Sequence, residues 1–178
     1  MQKVLIFDTS ILCVWLEIPG KETCGSDADR WDKARVKQFI QQENQAGTTF
    51  VLPLASIIET GNHIAQASSK RNETAQALAQ LMKLAADQQS PWAAFTEQSV
   101  LWEAEGLRIL ADEWSQLAVQ GISIGDATIK TVAEYYSKLG FRVEILTGDK
   151  GLKSYEPTTI KLSRQQRPRR RKKSGNGG

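Results

Sequence analysis

The sequence predicts an α/β fold with a mainly parallel central sheet. Short apolar runs rich in β-branched residues recur at 3–7 (KVLIF), 49–52 (TFVL) and 142–146 (RVEIL). Segments with helical periodicity separate them, and no hairpin signal joins them. Strands alternating with helices in this way build parallel sheets, whose sites lie at the carboxyl ends of the strands. At 178 residues the chain suits one domain with a real core.

Taken in order, residues 3–7 read as a buried strand ending at Asp8, and Ile11 to Leu16 as the start of a helix. Residues 17–26 hold Pro19, Gly20 and Gly25 and read as a loop. Ser26 or Asp27 is expected to cap a helix to about Gln45, with Trp31, Val36, Phe39 and Ile40 on its apolar side and Gly47 ending it. The second strand, 49–52, closes at Pro53, and a helix follows through Ala55, Ile58 and Ile64. Residues 71–87 are alanine- and leucine-rich and helical, 91–96 are extended, and 97–119 read as one long amphipathic helix. GISIG (121–125) leads into a helix over about 126–138, with Asp126 as its cap. Residues 142–146 are the third strand, Gly148 turns the chain, and TTIKL (158–162) reads as a fourth strand. The expected domain spans 1–162. Residues 163–178 form a basic, glycine-ended tail expected to be disordered when free.

Composition narrows the chemistry. The N-terminal apolar run stops at an aspartate, and no later stretch reaches the roughly 18 apolar residues of a membrane span. The expected location is therefore the cytoplasm, with no membrane partner. Two cysteines, Cys13 and Cys24, make no disulfide framework and lack zinc-ligand spacing. His63 is the only histidine, and no nucleophile-elbow sequence accompanies it, which argues against triad hydrolases. Of 23 basic residues, eight lie in 161–173 without an acid, so the remainder carries 15 basic against 20 acidic residues. An acidic body with a basic tail suggests a tail that binds a polyanion.

Four carboxylates carry the chemical argument. Asp8 ends the first strand, Glu59 lies just into the helix after the second, Asp126 opens a helix, and Asp149 follows the third strand by a short turn. The fold would gather them at one edge. Clustered like charges repel, and a divalent cation relieves the repulsion. An all-oxygen donor set selects Mg²⁺ or Mn²⁺ over zinc, and such a site can activate water for in-line displacement at phosphorus. Each acid also has a plainer role open to it: helix cap for Asp8 and Asp126, solvated helix residue for Glu59, turn residue for Asp149.

The segments VLIFDTSIL, SIIETGNHI, ISIGDATI and ILTGDKGL resemble, in order and spacing, the four acidic motifs of PIN-domain nucleases, the VapC-type toxin ribonucleases among them. The resemblance covers about residues 3–153. It implies a three-layer α/β/α sandwich, with Mg²⁺ or Mn²⁺ held by Asp8, Glu59, Asp126 and Asp149. Thr147, two residues before the last aspartate, and Ser10 fall at supporting positions. It implies cleavage of RNA, or of single-stranded or structured DNA, to 5′-phosphate and 3′-hydroxyl ends. A homodimer and an antitoxin partner are further implications. The stretches 17–33 and 88–97 look longer than in compact toxins, and the basic tail is not a usual toxin feature.

Around these acids, His63 shares a helix face with Glu59, and Lys150 and Lys153 follow Asp149 within reach of substrate phosphates. In the tail, Arg167, Arg169, Arg170 and Arg171 would bind nucleic acid by counterion release; a localisation signal or a partner site are the other readings of this segment. Two further readings of the whole chain stand beside the nuclease. One is a catalytically weak scaffold that binds RNA or a protein. The other is a haloacid-dehalogenase-like phosphatase, for which Ser10 replaces the required second aspartate.

Overall fold

The structure is a computed structural model that describes residues 1–158. The chain runs β1 (Lys3–Phe7), α1 (Thr9–Trp15), β2 (Thr23–Ser26), β3 (Asp29–Asp32), α2 (Lys33–Gln45), β4 (Thr49–Val51), α3 (Leu54–Gln66) and α4 (Arg71–Ala86). A 3₁₀ segment (Phe95–Trp102) follows, then α5 (Ala104–Val119), α6 (Ile124–Lys138), β5 (Arg142–Leu146) and the short α7 (Lys150–Lys153). The fold is mixed α/β, and β4, β1 and β5 form a wholly parallel sheet in that order.

The three apolar runs become the three parallel strands for a physical reason. β1 is central, and Val4 to Phe7 are fully buried. Val4 and Ile6 join α6 residues Ile129, Val132 and Tyr136 in one cluster, while Leu5 and Phe7 join Leu12, Ile40, Leu81 and Trp92 in another. Side chains alternate along a strand, so helices on both faces demand an uninterrupted apolar run. Each such side chain contributes about 1.5–3 kcal/mol by burial. The chain leaves β1 for β4 on one side and then crosses to β5 on the other. Connections that diverge in this way leave a crevice at the carboxyl end of the central strand.

The expected loop and helix start at 17–32 fold instead as an antiparallel hairpin, pairing Thr23–Asp32 through Ser26–Asp29. Only Trp31 of the hairpin is buried, so no apolar alternation betrays it in the sequence. Gly25 has φ +88, and a Cβ there would overlap the Asp29 carbonyl. Asp32, not Ser26 or Asp27, caps α2 by accepting from Arg35 N at 2.8 Å. The single helix expected over 97–119 is also broken. A Cβ on Gly106 would lie 2.6 Å from the Leu101 carbonyl oxygen, so the chain doubles back tightly there. Gln98 Nε2 donates to Leu52 O at 3.1 Å and ties the 3₁₀ segment to the end of β4.

The connection at 91–96 lies beside β4, with Phe50 N donating to Pro91 O and Ala93 N to Phe50 O, both at 2.8 Å. On the outer edge of β5, Ile145 N donates to Glu156 Oε1 at 2.6 Å. The fourth strand expected at 158–162 falls, except for Thr158, outside the described residues, as do the domain end at 162 and the tail with Arg167, Arg169, Arg170 and Arg171. Among the described residues, no helix is long and apolar enough to cross a membrane.

Candidate functional site

One cleft of about 460 Å³ at the carboxyl edge of the sheet is lined by Asp8, Glu59, Asp126 and Asp149 together. Four distant segments of chain supply them, and each is positioned by an identifiable contact.

Asp8 follows β1 directly and is only 5% exposed. It caps α1, accepting from Ser10 N at 3.2 Å. Ser10 Oγ at 2.6 Å and Thr147 Oγ1 at 2.8 Å donate to the same oxygen, Oδ2. Among the described residues no hydrogen bond reaches Oδ1. One oxygen is therefore saturated by three donors, and the other is left to an outside ligand. A cap alone would need only the bond from Ser10 N.

Thr147 and Ser10 hold a second contact each. Thr147 Oγ1 accepts from Asp149 N at 2.9 Å, and Ser10 Oγ accepts from Gly148 N at 3.0 Å. The 147–149 turn is thus sewn to α1, which fixes the Asp149 backbone beside Asp8. The Asp149 side chain caps α7, accepting from Gly151 N at 2.6 Å through Oδ1. The hairpin covers this turn: a Cβ on Gly148 would lie 2.6 Å from Cys24 Sγ and 2.7 Å from Gly25 N.

Glu59 sits on α3, which is anchored to β1 by Ser56 Oγ donating to Phe7 O at 2.7 Å. Thr9 Oγ1 donates to Glu59 Oε2 at 2.9 Å. The other oxygen, Oε1, lies in the space that a side chain on Gly125 would fill. Gly125 is in the first turn of α6, where exposed N–H groups favour a carboxylate.

Asp126 is in the same turn, but it is not the cap. Ser123 caps α6, accepting from Asp126 N at 3.0 Å and donating to Asp126 Oδ2 at 2.9 Å. The corrected cap frees Asp126 from the plainer role open to it in the sequence. Burial raises the Asp126 carboxyl above the usual carboxylate range, and the charges of Asp8 and Asp149 raise it further, while Ser123 opposes the rise. Two acids of the set thus act electrostatically on a third.

Ser10, His63, Cys13, Cys24, Thr9, Thr23, Ser123 and Lys21 complete the lining. Burial pushes the Cys13 thiol up to about 12 and the Cys24 thiol upward, so both are neutral thiols at physiological pH. Lys150 is exposed and outside the cleft lining, and Lys153 Nζ is engaged by Glu156 at 2.6 Å, Ile145 O at 2.9 Å and Glu144 at 3.3 Å. Lys153 therefore anchors α7 to β5. Sequence reasoning missed Thr9, Gly125, Ser123 and Lys21. Only Ser123 carried a signal, its place three residues ahead of an acid at a helix start.

The donor set is all oxygen, which suits a hard dication. Among the described residues, no three acidic, cysteine or histidine side chains stand close enough together to chelate an ion as arranged. Mg²⁺ commonly binds through one or two carboxylates and retained waters. Comparison of the chain with protein-family models, curated proteins and solved structures found no match.

Proposed function

We propose that the protein is a Mg²⁺- or Mn²⁺-dependent nuclease of the PIN type, with single-stranded RNA as its favoured substrate and a three-layer α/β/α sandwich as its fold. The observation that carries this reading is Asp8: a buried carboxylate with one oxygen held by three donors, the other unbonded, in a cleft with three more acids. Asp8 Oδ1 is not a buried unpaired atom, so it opens to the cleft, where an incoming ligand can replace water.

In this reading Asp8, Glu59, Asp126 and Asp149 hold the ion, which, when bound, supplies positive charge at the phosphodiester and acidifies water. Ser10 and Thr147 orient Asp8 through Oδ2. Thr9 and the Gly125 gap orient Glu59, and Ser123 orients Asp126. As an ion ligand the half-buried Asp126 would be charged, since a bound cation opposes the rise that burial and the neighbouring acids impose. The resemblance of the four motifs to toxin nucleases extends the proposal to a homodimer and an antitoxin partner in the cytoplasm. Lys150 and the tail residues Arg167, Arg169, Arg170 and Arg171 are proposed contacts to nucleic acid.

A catalytically weak RNA-binding scaffold is favoured by one observation, the lack of three side chains at chelating distance among the described residues. One experiment separates the two. Labelled single-stranded RNA and DNA are incubated with the protein and Mn²⁺, Mg²⁺ or EDTA, beside Asp8→Asn. The nuclease reading expects cleavage only with metal, and a loss in Asp8→Asn beyond the ~10–100-fold typical of outer-shell changes. Binding without cleavage of any RNA or DNA would establish the scaffold reading instead.

A further inference from the structure

Lys21 stands out among the cleft residues. It lies between α1 and β2, on the loop that precedes the hairpin, across the site from nothing the sequence marked. Its backbone is fixed: Lys21 N donates to Ile18 O at 2.9 Å, Ile18 is fully buried, and Ile18 N donates to Cys13 O at 3.0 Å. Gly20, at φ +82, makes the turn that presents it, and Gly20 N donates to Glu22 Oε1 at 2.9 Å.

Three cations of β3 and α2 are committed to ion pairs. Arg30 pairs with Asp27 at 2.7 Å, Arg35 with Asp29 at 2.7 Å, and Lys33 with Glu17. Lys21 makes no ion pair among the described residues, although four carboxylates line the same cleft. Its charge nevertheless acts on the Cys13 thiol in the cleft wall. Lys21 is solvent-exposed and lines the same cleft as the carboxylates without pairing with them, which leaves its ammonium available to an anion that enters the cleft. Among the residues lining the cleft there is no Phe, Tyr or Trp, and His63 carries the one aromatic ring.

We infer that Lys21 binds a phosphate of the substrate strand next to the one held by the carboxylates, so that the site takes a polynucleotide by its backbone. The inference rests on the nuclease reading and sharpens its substrate class: a strand with at least two consecutive phosphates. Lys21 is a specificity residue here. The carboxylates bind one phosphodiester, and Lys21 distinguishes a chain from an isolated diester.

Two measurements on the full chain test it. The first is fluorescence anisotropy of a labelled 2′-O-methyl RNA 12-mer, which resists cleavage, in Mg²⁺ across a salt series. Lys21→Ala is expected to bind about tenfold more weakly, with a salt slope smaller by about one phosphate contact; Lys21→Arg is expected to restore both. Equal affinity and equal slope for wild type and Lys21→Ala would overturn the inference, whether or not the wild type cleaves. The second is the ratio of kcat/KM for an RNA 12-mer to that for bis(p-nitrophenyl) phosphate. The ratio is expected to fall about tenfold in Lys21→Ala, and an unchanged ratio counts against the inference. Failure of the wild type to cleave either substrate would overturn the nuclease reading, leaving the binding measurement to decide the role of Lys21. Circular dichroism of both variants excludes unfolding as the cause.

Discussion

Gly125 is the residue whose role is easiest to isolate. Replacing it by alanine places a methyl group on the Glu59 carboxylate, the mobile end of a flexible side chain, so the fold can adjust while the carboxylate is displaced. Alanine in a helix gains roughly 0.5–1 kcal/mol over glycine. Gly125→Ala is therefore expected to melt at or slightly above the wild-type temperature and to lose cleavage. A melting temperature several degrees lower would show that the glycine serves packing rather than Glu59. Thr147→Val acts the opposite way. It removes a donor from buried Asp8 and the acceptor of Asp149 N, a loss of about 1–3 kcal/mol in urea unfolding. Asp126 gives the pH signature. Its pKa is raised in the fold, first by burial, so the fold favours its neutral form. That contribution is full below the ordinary carboxylate range and is lost as pH rises through the raised value. Asp126→Asn is thus expected to raise the melting temperature at pH 7 and to change it little at pH 3. Mn²⁺ should stabilise the wild type at pH 7 and leave Asp8→Asn unmoved.

At the scale of elements, the hairpin is a wall of the site and not the spacer its sequence suggests. Gly148 lets it approach, since a Cβ there meets Cys24 Sγ at 2.6 Å and the Gly25 backbone at 2.7 Å. Gly148→Ala cannot be relieved by a side chain moving aside. It is expected to cost roughly 1–3 kcal/mol, as overpacking does, and to increase amide exchange across residues 23–32. Exchange confined to other elements would place the strain elsewhere. The parallel strands were legible because burial on both faces forces unbroken apolar runs such as VLIF. The hairpin was not, because nearly every side chain in it is solvated and its single anchor, Trp31, fits a helix pattern equally well. The four acids were legible as an ordered set, but the contacts that orient them were not. Thr9 to Glu59, Gly125 to Glu59 and Thr147 to Asp8 join positions far apart in the chain, and only Thr147 was suggested, by resemblance. The break near residue 103 was hidden because backbone packing at Gly106 causes it, and a helix tolerates one glycine in most contexts.

For the whole molecule, the charge division matters most. Excluding residues 161–173, the chain has more acids than bases, so its body repels a nucleic acid except where cations are presented. Removing residues 163–178 is expected to weaken oligonucleotide binding at low salt and to flatten its salt dependence, with the melting temperature unchanged. An unaltered salt slope would remove the tail from the binding account. The hydrogen bond between Thr147 and Asp8 spans 139 residues of sequence. Asp8 is made well before Thr147 and Asp149. β5, which flanks the central strand on one side, also comes late. During translation, Asp8 therefore waits without its partner hydroxyl until β5 and Thr147 have left the ribosome. The hydroxyl that orients Asp8 is delivered only when β5 docks beside β1, and a chain cut before β5 keeps Asp8 without it.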